Sequence, residues 1–308
     1  METPEDNHRD LRVAAVFVSY ECGAELVENV RLLGPQVDLV VVVDNGSAAP
    51  SGPHLLELEQ SGAARVIRLG RNHGIARALN EGMRHAAEAG CDWVVTMDQD
   101  SRPDAHLVAD LLRDVDAHAG AKPIAIVAPL IYGAEDRLLI QGWAGAEGAG
   151  AASPQAAHEV VTCMTSGALT RTAWWSRLGG FDEGFFIDYV DTDYCLRCLA
   201  AGAVVLQSFR ASLFHHLGNR RSHRIGRVRF SATHHSAFRR YFITRNRILT
   251  WRRFARAQPR YVLDDAKGFV VESAKILLVE DDKWNKARAT LRGAADAIFL
   301  PDRRGHRA

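Results

Sequence analysis

The segment VDLVVVVDNGS (Val37–Ser47) decides the fold class, because a continuous aliphatic run ends abruptly in a polar turn. Apolar runs without alternation are typical of parallel strands that are buried on both faces. Comparable runs occur at Arg12–Val18, Ala64–Leu69, Trp93–Met97 and Ile124–Val127. Segments with helical spacing separate them, such as Gly74–Gly90. The alternation predicts an α/β fold with a mostly parallel sheet flanked by helices.

Polar clusters follow three of these runs at the point where each strand should end. They are Asp44-Asn45-Gly46-Ser47, Arg71-Asn72-His73-Gly74 and Asp98-Gln99-Asp100-Ser101. Open α/β sheets bind ligands beyond the carboxyl ends of their strands, and the amides at a helix N-terminus can hold phosphate. Each cluster alone is a common turn or surface loop. Their succession after consecutive strands is far more specific, and it predicts a nucleotide site.

Asp98 and Asp100 form a candidate metal site. In an almost extended chain, residues i and i+2 point to the same side. Two carboxylates together with diphosphate oxygens suit a hard divalent cation such as Mg²⁺ or Mn²⁺. A glycine-rich Gly-x-Gly-x-x-Gly loop does not follow the first strand, which weakens both a dinucleotide-binding interpretation and a nucleotidyltransferase interpretation.

The chain resembles a known family over Arg12 to Leu217: the inverting nucleotide-sugar glycosyltransferases of family 2, which have the GT-A fold. The segments that carry the resemblance are VVVDNGS (41–47), RNHGIARALNEG (71–82), MDQDS (97–101), GGFDEGFFIDYVDTDYCLR (179–197) and HHLG (215–218). Asp-Gln-Asp-Ser, FIDYVDTD (186–193) and HHSAFRRYFITRN (234–246) look more specifically like the rhamnosyltransferase branch.

The resemblance implies roles at the donor site. Asp44 would accept a hydrogen bond from the pyrimidine base, and Asn72 and Gly74 would line the nucleotide pocket. Asp98 would lie near the ribose and the metal, and Asp100 would ligate the metal. His215 matches the histidine of a His-x-x-Gly motif that completes the metal or diphosphate site. The implied donor is a nucleotide sugar, most specifically dTDP-L-rhamnose.

The resemblance also implies that Asp191 is the catalytic base. Many relatives have Glu where this chain has Val190, and Asp188 is the residue placed to compensate. A single displacement at the anomeric carbon needs one carboxylate for the acceptor proton and positive charge for the leaving diphosphate. On a helix that begins near Val190, Asp193 points about 200° away from Asp191. We therefore expect a structural role for Asp193, as an acidic cap or as the partner of Arg197.

Two further residues are predicted near the acceptor. Asp182 and Glu183 precede the base in the same segment. We expect them to shape the floor of a loop and to contact the acceptor.

The charges are strongly segregated along the chain. The net charge is +1, but the stretch from Arg220 to Arg260 holds 13 Arg and no Lys, Asp or Glu, which leaves −12 for the remainder. Such a stretch can be a solvated face, a nucleic-acid surface or an anion-handling surface of a transferase. No recognised nucleic-acid motif surrounds it, so the third interpretation is favoured and no nucleic-acid partner is expected. It assigns Arg239, Arg240, Arg245 and Asn246 to the diphosphate or the acceptor, and Arg252, Arg253 and Arg256 to anionic lipid.

The remaining predictions concern domain organisation and cellular location. We expect a disordered tail over 1–10, a catalytic domain over 11–218, a basic and helical C-terminal extension over 219–300 and a tail over 301–308. The segment 133–159 is predicted to be a loop or irregular hairpin, and 161–170 a strand. The apolar residues of 262–300 favour packing on the catalytic domain, and the alternatives are a membrane interface and a homodimer contact. Apolar runs stay below the roughly 18 residues of a membrane span. The polar N-terminus is not a signal peptide, so we expect a cytoplasmic protein, peripheral at the inner face of the plasma membrane.

The sequence therefore predicts a glycosyltransferase that moves L-rhamnose from dTDP-L-rhamnose to a hydroxyl of a glycan or glycolipid, of the O-antigen, cell-wall or rhamnolipid type, with Mg²⁺ or Mn²⁺. The first alternative is a transferase of the same fold that uses another UDP- or dTDP-sugar. A more remote alternative is a nucleotide- or nucleic-acid-binding module.

Overall fold

The computed structural model of the chain describes residues 11–133, 139–141, 157–215, 221–225 and 228–299. Its strands are β1 (Val13–Ser19), β2 (Leu39–Asp44), β3 (Arg65–Arg68), β4 (Trp93–Asp98), β5 (Arg102–Pro103), β6 (Ile124–Gly133), β7 (Leu139–Gln141), β8 (His158–Glu159), β9 (Leu169–Arg171), β10 (Val204–His215), β11 (Arg221–Ile225) and β12 (Val228–Ala232). Its α-helices are α1 (Ala24–Leu33), α2 (Gly52–Gln60), α3 (Ile75–Glu88), α4 (Leu107–Ala117), α5 (Thr172–Arg177), α6 (Val190–Ala200), α7 (Ala237–Phe254), α8 (Pro259–Val279) and α9 (Lys283–Phe299).

One large sheet has the strand order β3-β2-β1-β4-β9-β6-β10-β5. The strands β3, β2, β1 and β4 are parallel, as the aliphatic runs predict. β9 then runs antiparallel between β4 and β6. The predicted α/β sheet flanked by helices is confirmed. The half of the sheet toward β10 contains both parallel and antiparallel strands.

The core lies on both faces of this sheet, which explains why the strands do not alternate with polar residues. Along β1, Ala15 and Phe17 face α1, α2 and α4, whereas Ala14 and Val16 face α3, α5 and α6. Helix α3 lies directly on β1 at Gly82, where a Cβ atom would stand 2.2 Å from Val16 Cγ1. The two-sided burial sets the positions of the loops at the carboxyl ends of the strands.

The predicted strand over 161–170 is wrong in extent, because only Leu169–Arg171 forms a strand. The preceding residues are instead tied to the end of β4: Thr96 Oγ1 donates to the Thr165 carbonyl at 2.5 Å, and Gly167 N donates to the Thr96 carbonyl at 2.7 Å. The predicted tails over 1–10 and 301–308, most of 133–159, and Leu217 and Gly218 lie outside the described residues.

Three helices follow the sheet, as predicted for the C-terminal part. Helices α7 and α9 are in close contact, since a Cβ atom at Gly293 would lie 2.5 Å from the Tyr241 carbonyl oxygen. Within the described ranges, no helix is both long enough and apolar enough to cross a membrane.

Candidate active site

Two loops at the carboxyl ends of β2 and β3 are joined by hydrogen bonds. Asn45 Nδ2 donates to Asn72 Oδ1 at 3.1 Å, and Asn45 Oδ1 accepts from the His73 amide at 2.9 Å. Asn72 Oδ1 also accepts from the Gly74 amide at 2.9 Å. The Asp44 carboxylate is buried beside them and accepts from the Ser47 amide at 3.1 Å. Asp44, Asn72 and Gly74, three of the four residues predicted for the nucleotide, thus lie in two loops that hydrogen bonds join, and Asn72 is exposed.

Asp98, Asp100 and His215 form a group whose potential ligand atoms all lie within 4.8 Å of one another. Strand pairing brings them together. Asp98 ends β4, and the turn after it leads into β5, which pairs with β10 so that Phe214 lies opposite Arg102. His215 therefore reaches the turn that carries Asp100, and its Nδ1 lies 3.9 Å from Asp100 Oδ1. Two carboxylates and an imidazole suit Mn²⁺ or Mg²⁺ with open positions for other oxygen ligands.

A small network of hydroxyls orients this group. Ser101 Oγ lies 2.7 Å from His215 Nδ1, and Ser166 Oγ donates to Ser101 Oγ at 2.8 Å. Ser166 Oγ in turn accepts from the Asp98 amide at 3.2 Å. A histidine held through Nδ1 can present Nε2 to a metal, and such partners fix the ring orientation of metal ligands. Sequence reasoning did not find Ser166, because the segment around it was interpreted as a strand.

Asp191 lies in the first turn of α6, partly buried. Burial raises the pKa of its carboxyl to about 6, with further increases from the charges of Asp188 and Asp98. The Thr192 amide, which donates to Asp191 Oδ1 at 2.7 Å, acts in the opposite direction. A carboxylate with such a pKa is ionised at neutral pH and is still a better proton acceptor than an exposed aspartate.

Asp193 faces away from Asp191, as its helical position predicts. It is fully buried, and its carboxylate pairs with Arg197 at 2.8 Å and with Arg253 at 2.6 Å. The predicted structural pair with Arg197 is confirmed.

Asp182 and Glu183, which were predicted to contact the acceptor, lie in the loop before α6 and bind neighbouring side chains and backbone. Asp182 is buried; its carboxylate accepts from the Gly184 amide at 3.0 Å and pairs with Arg253 at 2.8 Å. Glu183 is exposed and binds Arg77 at 3.1 Å and Asn80 Nδ2 at 3.0 Å. Asp182 therefore shapes the loop floor, and Glu183 alone of the two remains at the surface.

Asp188 is not a free second carboxylate beside the base. It accepts from Arg239, with Nε at 3.0 Å and Nη2 at 2.8 Å. Its charge still reaches Asp191 and contributes to the raised pKa of that group.

Several residues of the basic stretch have roles that differ from the predicted ones. The Arg240 side chain is only 2% exposed and pairs with Glu272 and, at 2.7 Å, with Glu280, so it does not face the donor or the acceptor. Arg253 is buried against Asp182 and Asp193 rather than placed at a lipid surface. Asn246 is fully buried, and Arg245 donates to its Oδ1 and to the Gly184 carbonyl. The positive charges of Arg240 and Arg253 neutralise carboxylates that are distant in sequence, and a charge count along the chain does not show this.

Residues 16–195 match the sequence model of the family described as glycosyl transferase family 2. The chain belongs to this family. It is therefore a glycosyltransferase, and the carboxylates gathered beyond the strand ends lie in a glycosyltransferase fold.

One curated relative is similar over most of both chains. It is the dTDP-rhamnosyl transferase RfbF of Shigella flexneri, which is 29% identical over 219 residues, covering 70% of this chain and 71% of that protein. This similarity agrees with the rhamnosyltransferase-like motifs in the sequence.

Solved structures show the same fold at low sequence identity. TarS 1–349 from S. aureus superposes with a TM-score of 0.54 at 13% identity, covering 94% of this chain and 72% of that one. A mannosyltransferase from Pyrobaculum calidifontis, in complex with GDP-Man and Mn²⁺, has a TM-score of 0.56 at 14% identity, covering 94% and 88%. GalNAc-T7 with UDP, GalNAc and Mn²⁺ has a TM-score of 0.59 at 13% identity, covering 94% and 56%. The expected GT-A fold is confirmed.

Proposed function

We propose that this glycosyltransferase moves L-rhamnose from dTDP-L-rhamnose to a hydroxyl of a glycan or glycolipid acceptor, with inversion at the anomeric carbon. The observation that carries the proposal is that one partly buried carboxylate, Asp191, lies near the Asp98–Asp100–His215 group. The charge of Asp98 contributes to the raised pKa of Asp191. The acceptor classes that we propose are O-antigen, cell-wall polysaccharide and rhamnolipid precursors.

The identity of the donor rests on similarity. The relative from Shigella flexneri is named for dTDP-rhamnosyl transfer, and the rhamnosyl-like motifs include the Asp-Gln-Asp-Ser turn. Asp44, Asn72 and Gly74 are our candidates for the nucleotide pocket, because they line the joined loops beyond β2 and β3. A UDP-sugar or another dTDP-sugar is the alternative donor.

The three potential metal ligands fit a divalent cation. Asp98, Asp100 and His215 offer two carboxylates and an imidazole within 4.8 Å, and Mn²⁺ is present in two of the similar structures. When bound, such a cation would offset the negative charge that develops on the leaving diphosphate. Ser101 and Ser166 would keep His215 in the ligating orientation.

Asp191 would act as the general base that accepts the proton of the acceptor hydroxyl. A carboxylate with a pKa of about 6 can take the proton of an acceptor hydroxyl while the oxygen attacks the anomeric carbon. A single carboxylate in this position is consistent with one displacement and therefore with inversion. Asp193 cannot share the task, since Arg197 and Arg253 bind both of its oxygens on the opposite side of α6.

A donor panel tests the proposal. Calorimetry with dTDP-L-rhamnose, UDP-sugars and an oligonucleotide, with and without Mn²⁺, should show metal-dependent binding of the dTDP-sugar. Turnover should yield a product of inverted anomeric configuration by NMR.

Asp191→Asn should nearly abolish turnover and leave donor binding intact, whereas the exposed Asp264→Asn should match the parent. Full turnover in Asp191→Asn would show that Asp191 is not the catalytic base. Preferential binding of a UDP-sugar would show that dTDP-L-rhamnose is not the donor.

We also propose that the enzyme acts as a peripheral protein at an anionic membrane surface, the inner face of the plasma membrane. Helices α8 and α9 expose large apolar side chains, including Leu263, Val270, Leu277, Leu278, Trp284, Leu291 and Phe299. Glu272 of α8 pairs with Arg240 and Arg247. Glu280, which directly follows α8, is buried and pairs with Arg240 and Lys286. The exposed charges over 256–292 are then mostly basic: Arg256, Arg260, Lys267, Lys283, Arg288 and Arg292 against Asp264, Asp281 and Asp282. Apolar side chains beside basic ones suit an anionic lipid interface.

A further inference from the structure

We propose that Asn246 is a positioning residue for Asp191, which it places by fixing the backbone loop over 185–189. The inference rests on the proposed function, since it takes Asp191 to be the base.

The loop before Asp191 has an unusual backbone. Phe186, Asp188 and Tyr189 have φ values of 24°, 63° and 64°, a region that residues with a side chain rarely adopt. Tyr189 is the N-cap residue of α6, and Asp191 follows two residues later. Conformations of this kind persist only where the surroundings over-determine them. The direction in which α6 begins, and so the position of Asp191, depends on what holds this loop.

Asn246 supplies hydrogen-bond donors to the loop. Its Nδ2 lies 3.1 Å from the Phe185 carbonyl oxygen and 2.9 Å from each of the Ile187 and Asp188 carbonyl oxygens. The amide has two hydrogens, so one of them is shared between two carbonyls. Its Oδ1 accepts from Arg245 Nε at 3.0 Å, which fixes the amide orientation. The side chain is fully buried and every polar atom is bound, so Asn246 has no free group for a donor or an acceptor sugar.

The rest of the same face of α7 holds the loop as well. Arg239 binds the Asp188 carboxylate, and the Phe242 ring stacks on Phe186 with centroids 5.2 Å apart. Arg239, Phe242 and Asn246 follow the i, i+3, i+7 spacing of a single helical face. Among them, Asn246 is the residue that binds the backbone at several points, and loss of its donors releases three carbonyls at once.

The test compares Asn246→Asp with the parent enzyme. Aspartate has the same size and still accepts from Arg245, but it lacks both N–H groups and turns a negative oxygen toward three carbonyls. Since a misplacement of 1 Å can cost about 10²-fold in rate, we expect kcat to fall by about that factor. The donor Kd by calorimetry and the donor KM should stay near the parental values.

Thr250→Val is the matched control. Thr250 is also fully buried on α7, and its hydroxyl donates to the Asn246 carbonyl of its own helix at 2.8 Å. Its kcat should stay close to the parental value. Parental kcat in Asn246→Asp would overturn the proposal, and so would a joint loss of kcat and donor affinity, which would indicate a ligand contact.

Two further measurements keep the outcome decisive. If Asn246→Asp does not fold, Asn246→Ala removes the donors without adding a charge and should show the same fall in kcat. Hydrogen exchange tests the loop without any substrate: amides over 187–193 should exchange faster in the Asn246 variant than in Thr250→Val. Equal exchange in the two variants would overturn the proposal. A parent enzyme that transfers no sugar, but whose loop still loosens in the variant, would contradict the proposed function alone.

Discussion

At the scale of single residues, the pKa of Asp191 sets an expected pH dependence. Burial raises this pKa to about 6, so the carboxylate gains a proton as the pH falls through 6 and then cannot act as a base. We expect kcat to fall about tenfold per pH unit on the acid side, with the midpoint near pH 6. A kcat profile from pH 4.5 to 8 with saturating donor checks this. A flat profile down to pH 5 would mean that Asp191 keeps an ordinary aspartate pKa or is not the base.

The sequence predicted some of these residues because local geometry fixes them. Asp193 and Arg197 are four apart on a helix, and their ion pair follows from that spacing. The roles of Arg240, Arg253 and Asn246 were missed for a physical reason. Their partners Glu280, Asp182 and the Phe185 carbonyl lie 40, 71 and 61 positions away in the chain, and no local pattern encodes such contacts.

At the scale of elements, the N-terminus of α3 packs directly on the loop over 185–189, which precedes Asp191. Gly74 has a φ of +88°, and a Cβ atom there would lie 2.5 Å from the Phe186 carbonyl oxygen. The same oxygen accepts from the Ile75 amide at 2.7 Å. The loop that ends at Gly74, our candidate for the nucleotide pocket, and the loop over 185–189, which precedes Asp191, are therefore in direct contact.

We expect Gly74→Ala to lower stability by about 1 to 3 kcal/mol, through strain at a positive φ and displacement of the base loop, and to reduce kcat. Gly70→Ala is the matched control, because Gly70 has a φ of +75° but nothing within 4 Å of its Cβ position. Denaturant unfolding and steady-state kinetics of the two variants separate the backbone penalty from the clash. Equal losses in both variants would show that the fit against Phe186 has no effect.

The elements themselves were predictable where hydrophobic periodicity is strong. The parallel strands β1 to β4 and helix α3 follow directly from their apolar patterns. The strand interpretation of 161–170 failed because Cys163 and Ala168 are buried without forming a strand. Their burial comes from packing between the sheet and α6, and a short apolar pattern does not distinguish this from a strand.

At the scale of the whole molecule, the separated charges of the sequence meet in the fold. Arg239 of α7 pairs with Asp188, and Arg253 with Asp182 and Asp193, so the basic helix is attached to the acidic catalytic part. This corrects the view that the arginines mainly serve diphosphate and lipid. Some arginines of the basic stretch over 220–260 thus neutralise buried carboxylates inside the protein, and others are exposed at its surface.

Arg253→Met should destabilise the protein strongly. The substitution removes the Arg253 partner of the buried Asp182 and one of the two arginine partners of the fully buried Asp193. Removing one partner of a buried ion pair costs about 3 to 5 kcal/mol. Unfolding in urea measures the loss. Arg256→Met, at an exposed position just after the end of α7, should change stability by less than about 0.5 kcal/mol. Similar values for the two variants would mean that the bridge between α7 and the catalytic part does not hold them together.

The exposed face of α8 and α9 gives the last expectation. Trp284 and Phe299 are 85% and 82% exposed, and exposed basic residues such as Lys283, Arg288 and Arg292 lie on the same helix. Each basic residue near an anionic surface contributes about 1 kcal/mol of attraction, and this attraction weakens with salt. We expect sedimentation with phosphatidylglycerol vesicles at low salt, little with phosphatidylcholine, and release at about 0.5 M salt, where the screening length is only a few ångströms.

Substitutions separate the apolar part of this interaction from the charge. Trp284→Ser with Leu291→Ser should weaken vesicle binding several-fold without changing turnover on a soluble acceptor, because both side chains are exposed, at 85% and 70%. Leu56→Ser is the control, since Leu56 is an exposed apolar residue on α2 of the catalytic part. If the parent does not bind anionic vesicles at low salt, the membrane proposal is wrong. If it instead sediments as a dimer that the double substitution disrupts, the apolar face is an interface between two copies of the chain.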